Sequence, residues 1–225
     1  MRRGALRTGV RMLLLWLWLL ALPLPVLGKP TDPQAYVRQV TEQVLALIEA
    51  KRDAFRHDRP ALYRAIEQVV VPHFDVPTMS RWVLGKYWRR LSADERQRFM
   101  RNFEYLLIRT YSTALLEYED QRIEYLPLRW DGHAGRAVVR TRIVPREGDA
   151  IPVDYTLRWR DGDWKVVDVK IDGISLVANY RSTFGAEIRS KGIDGLLTRL
   201  EARVQESGQG GDGSGAGSGG SDGGG

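Results

Sequence analysis

The chain has 225 residues, with 34 Lys and Arg against 28 Asp and Glu, 23 Gly and no Cys, and a net charge of +6. The absence of cysteine excludes a disulfide scaffold, a thiolate metal site and a cysteine nucleophile. The charge excess is too mild to indicate a protein that binds nucleic acid.

The first 28 residues have the order of a secretory signal peptide. Four arginines precede an apolar stretch that begins at Met12, and two prolines then lead to Gly28. The apolar run from Met12 to Leu27 is 16 residues long and contains proline, whereas a membrane span needs about 20 residues. We therefore predict cleavage after Gly28 and export of the mature chain. Without a cysteine after the cut, the exported chain is expected to be soluble rather than a lipoprotein.

The other end of the chain, residues 207–225, consists almost entirely of Gly, Ser and Asp. Such a segment cannot bury enough apolar surface to offset the entropy lost on ordering, so we predict a disordered tail. Residues 29–206 lie between the two ends and carry 30 basic and 26 acidic side chains, a charge of +4. Their number suits a single folded domain.

The first part of this domain is predicted to be helical. Asp32 and Asp58 each precede a helical start that contains proline, where a carboxylate can accept hydrogen bonds from free N–H groups. A short third helix is predicted over residues 77–84 and ends at Gly85.

A capping box formed by Ser92 and Glu95 begins the longest predicted helix. One face of this helix is apolar or weakly polar at helical spacing. Its members are Phe99, Phe103, Leu106, Thr110, Ala114 and Tyr118.

After residue 119 the apolar period changes from helical to two. Residues 151–159 alternate between apolar and polar side chains, which predicts a half-buried strand. Residues 161–163 are predicted to form a hairpin turn. Residues 164–171 are predicted to form the returning strand, with a bulge near Val166 and Val167. Two earlier strands are predicted from the inward residues Ile123, Tyr125, Ala137, Val139, Thr141 and Ile143.

Two helices complete the predicted domain, one from Ser175 through Phe184 and one over residues 193–204. The fold class is therefore α+β, with helices packed on one face of a curved antiparallel sheet of about four strands. Apolar faces usually pack, so the pattern alone favours a filled core. The functional alternative is an apolar cavity between the helices and the sheet.

No catalytic motif emerges from the sequence. The three histidines are far apart and lack metal-ligand spacing, and no phosphate-binding glycine loop or nucleophile motif is present. We predict neither a catalytic residue nor a metal site, and the protein is not expected to be an enzyme.

An ordered run of motifs resembles the MlaC family, also called toluene-tolerance auxiliary proteins, which are periplasmic phospholipid shuttles. The resemblance covers nearly all of residues 31–204. It is carried by residues 84–88, by aromatic and apolar positions from Phe99 to Tyr118, by residues 164–169, by residues 171–184, and by residues 192–200.

The resemblance implies a fold like that of nuclear transport factor 2, with a cavity that holds acyl chains and no cofactor other than the phospholipid cargo. It also implies docking to an inner-membrane ABC transporter complex with a ring-forming lipid-binding subunit, and to an outer-membrane lipoprotein complex. A monomer is expected. Transport direction, headgroup preference and the number of acyl chains stay open.

The resemblance also supplies candidates for the cavity or its supporting shell. They are Leu84, Tyr87, Trp88, Phe103, Leu107, Tyr111, Tyr155, Trp164, Val169, Ile174, Val177, Tyr180 and Phe184.

A cluster of cations is predicted on the outward face of the sheet, because they occupy alternate strand positions. Its members are Arg136, Arg140, Arg142, Arg158, Arg160, Lys165 and Lys170. A solvated face that deters edge pairing is one reading. The alternative is a docking surface for acidic partner loops or anionic headgroups.

Two other functions stay open at this point. A small-molecule isomerase or hydratase on the same scaffold would need an acid or base in the cavity, and Asp75 and Tyr155 are the nearest candidates. A periplasmic chaperone or adaptor would bind protein instead of lipid.

Overall fold

The computed structural model describes residues 31–119, 121–130, 132 and 135–209. The predicted signal peptide and residues 210–225 of the predicted tail lie outside the described residues.

Five helices and five strands make up the described domain. The helices are α1 (Pro33–His57), α2 (Arg59–Val69), α3 (Val76–Leu84), α4 (Ala93–Leu116) and α5 (Leu176–Gln209), with short 3-10 segments at Val71–His73 and Gly85–Arg90. The strands are β1 (Arg122–Tyr125), β2 (Arg136–Val144), β3 (Ile151–Arg160), β4 (Asp163–Ile171) and β5 (Ile174–Ser175).

Side-chain caps begin the helices where the sequence predicts them. The Asp32 carboxylate accepts a hydrogen bond from the Gln34 N–H at 2.8 Å, and Asp58 accepts one from Ala61 at 2.9 Å. Ser92 and Glu95 form both bonds of the capping box. Gly85 ends α3 with φ +54°, a conformation that glycine adopts without strain. The predicted helix starts are therefore confirmed.

The sheet is antiparallel, with the strands in the order β1-β2-β3-β4-β5. The predicted bulge is confirmed, because Thr156 pairs with Asp168 while the next residue, Leu157, pairs with Val166. Val167 is thus the extra residue in β4. The two-residue strand β5 extends the sheet beyond the predicted number of about four strands.

Helix α5 differs from its prediction. We expected a first helix that ends near Phe184, but the helix continues past Gly185 and its geometry breaks only at Gly192, where φ is +74° and ψ is 175°. This backbone conformation is almost exclusive to glycine. Across the break, the Arg199 guanidinium donates two hydrogen bonds of 2.6 Å to the Glu187 carboxylate. The glycine makes the bend, and the ion pair stabilises it.

Three apolar clusters hold the domain together. One joins α3, α4 and α5 around Phe99 and Phe103, and a second joins α1 to the inner face of the sheet around Trp164. A third joins α1, α2 and α4 around Ile48 and Leu62. The helices and the sheet thus pack as predicted, and the α+β fold class is confirmed. No helix in the described part of the chain is long and apolar enough to cross a membrane.

Candidate functional site

The inner face of the sheet is buried unevenly along its strands. At the end that carries the β3–β4 hairpin, the inward side chains Leu157, Trp164 and Val166 are buried. At the opposite end, Ile143 and Ile171 are only half-buried. We call these regions the packed end and the open end.

Isoleucines line the open end. Ile143 pairs across the sheet with both Ile123 and Ile151, and Ile171 pairs with Ile174. Ile151 is 44% exposed and Ile174 is 60% exposed, whereas Trp164 at the packed end is fully buried. Large apolar side chains exposed at the same end of the sheet indicate a surface where an apolar ligand can bind or enter.

Half-buried tyrosines lie between these two ends. Tyr155 stands on β3 between Val139 and Val169, and Tyr125 stands on β1. Helices α4 and α5 contribute Tyr111 and Tyr180. All four side chains retain some accessible surface although they belong to, or pack against, the interior clusters. They give the interior an apolar surface with polar hydroxyl groups.

Burial perturbs these phenols. It raises the pKa of Tyr155 to about 12, with a smaller contribution from Tyr125. Burial likewise raises the pKa of Tyr111 to about 12, and the neighbouring Tyr180 adds to this through charge repulsion and a hydrogen bond. The pKa of Tyr125 is also raised, chiefly by burial. These hydroxyls are therefore neutral at physiological pH and can donate hydrogen bonds inside an apolar space.

A groove of about 420 Å³ runs between α4 and α5. It is lined by two of the predicted residues, Tyr180 and Phe184, and by Thr110, Arg199 and Glu187, which sequence reasoning missed as site residues. The sequence gives little indication that Arg199 and Glu187 belong to a site, because the two side chains meet only through the bend at Gly192.

The predicted cavity candidates fall into two packed groups. Leu84, Tyr87, Trp88, Phe103, Leu107, Val177, Tyr180 and Phe184 belong to the cluster of α3, α4 and α5. Tyr111, Tyr155, Trp164 and Val169 belong to the cluster on the inner sheet face. Ile174 lies outside both, at the open end.

Burial further divides these candidates. Leu84, Phe103 and Trp164 are at most 2% exposed, so in this structure they support the interior rather than line free space. The aromatic rings of Phe103, Tyr180 and Phe184 lie edge to face or tilted, with centroids 5.3–6.1 Å apart. Such contacts fix the ring positions behind the half-buried candidates.

The two groups considered for an enzyme do not form an acid–base pair. Both oxygens of the buried Asp75 carboxylate are engaged: one accepts a 2.9 Å hydrogen bond from the Thr78 N–H, and the other lies 3.5 Å from the Arg160 guanidinium. Asp75 lies beside Val166 on β4, whereas Tyr155 pairs with Val169. Asp75 therefore serves as the N-cap of α3.

The outer sheet face carries the predicted cations, but acids are interleaved with them. Arg136 pairs with Arg158, which in turn pairs with Lys165, so three cations form one row. Two rows further along the same face, Asp154 stands between Arg140 and Lys170.

The remaining cations of this face also have acidic neighbours. Arg142 pairs with Glu124 on β1. Arg160 is engaged by Asp75 and by Asp161, the latter at 3.2 Å. The face is thus basic, but partly neutralised by its own acids.

The fold and the interior define an α+β protein whose helices cover a sheet with one open, apolar end. The sequence profile of the MlaC protein family matches residues 38–202, and the chain belongs to this family.

Two curated relatives are similar over most of their length. The toluene tolerance protein ttg2D of Pseudomonas putida is 30% identical over 190 residues, covering 84% of this chain and 85% of the relative. The intermembrane phospholipid transport system binding protein MlaC of Haemophilus influenzae is 25% identical over 180 residues, covering 78% of this chain and 84% of the relative.

A solved structure has the same fold. The phospholipid-binding protein from Ralstonia solanacearum, determined in complex with a phospholipid, superimposes with a TM-score of 0.73 at 28% identity. The match covers 78% of this chain and 98% of that one.

Proposed function

We propose that this chain is a phospholipid carrier that holds the acyl chains of its cargo between the helices and the inner face of the sheet. The observation that carries the proposal is the half-buried interior around Tyr111, Tyr155 and Tyr180, in a fold shared with a protein determined in complex with a phospholipid. The neutral phenols offer donors to ester or headgroup oxygens, while the isoleucine rim offers an apolar entrance.

The energetics of acyl chains explain why such a carrier works by docking. Removing a chain from water gains about 0.8 kcal/mol per CH₂, so two chains of roughly 16 carbons gain on the order of 25 kcal/mol. Release into water would be negligibly slow. Transfer between two apolar sites is near balance, so the cargo is expected to leave only when the open end faces a membrane or a partner cavity.

The route of transfer is the finer part of the proposal. The chain would be exported through the signal peptide of residues 1–28, and would carry phospholipid through the periplasm. Its partners would be an outer-membrane lipoprotein complex and an inner-membrane ABC transporter complex with a ring-forming subunit. Membership in the MlaC family and the names of its relatives support this route.

A transfer assay tests the carrier function. Donor vesicles with a fluorescent phospholipid are mixed with acceptor vesicles and the protein, and the rate of transfer is measured. Tyr155→Trp adds bulk inside the proposed cavity and is expected to slow transfer at least several-fold. Tyr63→Trp makes the same exchange where Tyr63 packs on Tyr105 between α2 and α4, and serves as the matched control. Equal rates for wild type and Tyr155→Trp would contradict the proposed cargo site.

The outer sheet face is proposed as the docking surface for an acidic partner loop. Arg136, Arg142 and Arg158 form no ion pair with a carboxylate among the described residues, which leaves their charge available to a partner. Reversing the charge at Arg140 and Arg158 is expected to slow transfer to a membrane that contains the partner complex, and to weaken its salt dependence. If the double charge reversal at Lys51 on α1 and Arg59 on α2 has the same effect, this surface is not the docking site.

A further inference from the structure

A second cationic surface lies on α3 and the 3-10 segment that follows it. Residues 76–92 contain Arg81, Lys86, Arg89 and Arg90 and no Asp or Glu. All four side chains are exposed. The stretch therefore carries a charge of +4 that its own sequence does not offset. We call residues 76–92 the basic segment.

These cations also lack acidic partners in space. Within the described part of the chain, none of the four forms an ion pair with a carboxylate, whereas Arg98, Arg160 and Arg199 elsewhere do. On the outer sheet face three arginines also form no ion pair among the described residues, but there aspartates and a glutamate stand among the arginines in the strand register.

A fifth cation joins this surface from α5. The exposed Arg181 lies over Gly85, where a side chain would meet its guanidinium: an added Cβ would stand 3.2 Å from Nη2. Gly85 thus allows the guanidinium to approach the backbone closely. Arg181 likewise has no carboxylate partner among the described residues.

Aromatic side chains are interleaved with these cations. Trp82, Tyr87 and Trp88 are half-buried and pack against the cluster of α3, α4 and α5. Lys86 lies 5.3 Å from the centroid of the Tyr87 ring, and Arg96 lies 5.4 Å from that of Trp88. All three rings are therefore held on one side by the protein and retain accessible surface, and Tyr87 and Trp88 each lie beside a cation.

This combination matches one kind of partner. Trp and Tyr rings beside Lys and Arg are typical of the boundary between water and lipid, where the rings lie at headgroup level and the cations meet anionic headgroups. An acidic protein loop would need only the cations, and its binding would not account for the aromatic rings beside them. We propose that the basic segment, together with Arg181, binds directly to the surface of an anionic lipid bilayer. This binding needs no cargo in the interior and is separate from the carrier function.

Vesicle binding tests the proposal. The mature chain, as secreted by an exporting host, is mixed with vesicles of phosphatidylglycerol and phosphatidylethanolamine or with vesicles of phosphatidylcholine alone, and the bound fraction is measured by flotation. Binding is expected only to the anionic vesicles and should weaken with added salt. The triple variant Lys86→Gln/Arg89→Gln/Arg90→Gln should bind about a hundredfold more weakly, since each cation near such a surface contributes about a factor of five.

A matched variant separates location from net charge. Lys51→Gln/Arg59→Gln/Arg101→Gln removes three other exposed cations that form no ion pair with a carboxylate among the described residues, and is expected to leave vesicle binding unchanged. No binding to anionic vesicles, binding that is insensitive to salt, or an equal loss in both triple variants would each overturn the proposal. Co-purifying phospholipid, assayed as phosphorus per protein, reports on the carrier function independently, and both variants should retain it.

Discussion

The packed and open ends of the inner sheet face are made of similar apolar residues but are buried to different degrees. At the packed end Trp164 is fully buried between Trp130 and Trp159, and its indole N–H donates a 2.8 Å hydrogen bond to the Thr31 carbonyl. At the open end Ile151 and Ile174 keep much of their surface exposed. Both regions alternate apolar and polar residues along the strands, so the alternation alone does not account for the difference in burial.

This difference has a consequence for stability. A large side chain at the packed end stabilises the fold because its neighbours cannot fill the cavity that its removal would leave. In the proposed carrier, a residue near the open end adjoins the space that the cargo would fill, so its loss creates less new cavity. The following predictions compare the two regions, from the largest expected effect to the smallest.

Trp164→Leu should have the largest effect. The change leaves a cavity at the packed end and removes the hydrogen bond to Thr31, and we expect a loss of about 3–4 kcal/mol in the free energy of unfolding. Urea unfolding of the delipidated protein measures it. A loss below about 1 kcal/mol would mean that the packed end is not close-packed.

The second-largest effect is expected at alkaline pH, which should destabilise the tyrosine-lined interior. The pKa of Tyr155 is about 12 in the folded state, against an ordinary value of 10.0 that applies to the unfolded chain. As the pH rises, the unfolded chain therefore loses this proton before the folded protein does. The neutral phenol therefore makes its whole contribution to the free energy of unfolding below about pH 10. Between pH 10 and 12 this contribution, on the order of 2 kcal/mol, is lost. Urea unfolding of wild type and Tyr155→Phe across this range should show a steeper decline in the wild type. Parallel declines would contradict the burial of this phenol.

Tyr155→Leu should cost less than Trp164→Leu although both introduce the same residue. Because Tyr155 is only half-buried, we expect a loss of about 1 kcal/mol in the unfolding free energy of the delipidated protein. Losses of equal size in the two variants would remove the distinction between the two regions.

Mild acid should have the smallest effect, and it should act at the packed end. Burial and the nearby Lys165 lower the pKa of His73, while Asp163 partly opposes this. The folded state therefore favours neutral His73, and its contribution to stability is lost as the pH falls below about 6.5. Replacing His73 by Gln should flatten the pH dependence of unfolding between about pH 7 and 5. The hydrogen bond of 2.7 Å between Tyr36 and His73 makes Tyr36→Phe a useful control, since it removes the partner but keeps the histidine.

The elements could largely be predicted from local signals. The caps at Asp32, Asp58 and Ser92 and the alternation through β2, β3 and β4 are consequences of short-range geometry, and the structure confirms them. The end of the first part of α5 could not be predicted in the same way. The predicted helix stopped at Phe184, directly before Gly185. A single glycine costs a helix only about 1 kcal/mol, and packing of Ile188 in the helical cluster outweighs it.

The site was less predictable than the elements. Family resemblance, not periodicity, suggested that Leu84, Tyr180 and Phe184 belong together, and they share one cluster. The sequence could not show which candidates are core and which are half-buried: Phe103 and Leu107 lie one turn apart on α4 and belong to one cluster, yet Phe103 is fully buried and Leu107 only half-buried. The interleaving of acids among the outer arginines likewise depends on strand register.

The central claim is that the interior holds a phospholipid, and the most direct test is to extract it. The mature protein is purified without detergent, extracted with organic solvent, and the extract is analysed by mass spectrometry and by phosphorus per protein. The account predicts a defined amount of phospholipid in wild type and in Tyr63→Trp, and a reduced amount in Tyr155→Trp. Absence of phospholipid from the wild-type extract, together with no uptake from donor vesicles, would contradict it.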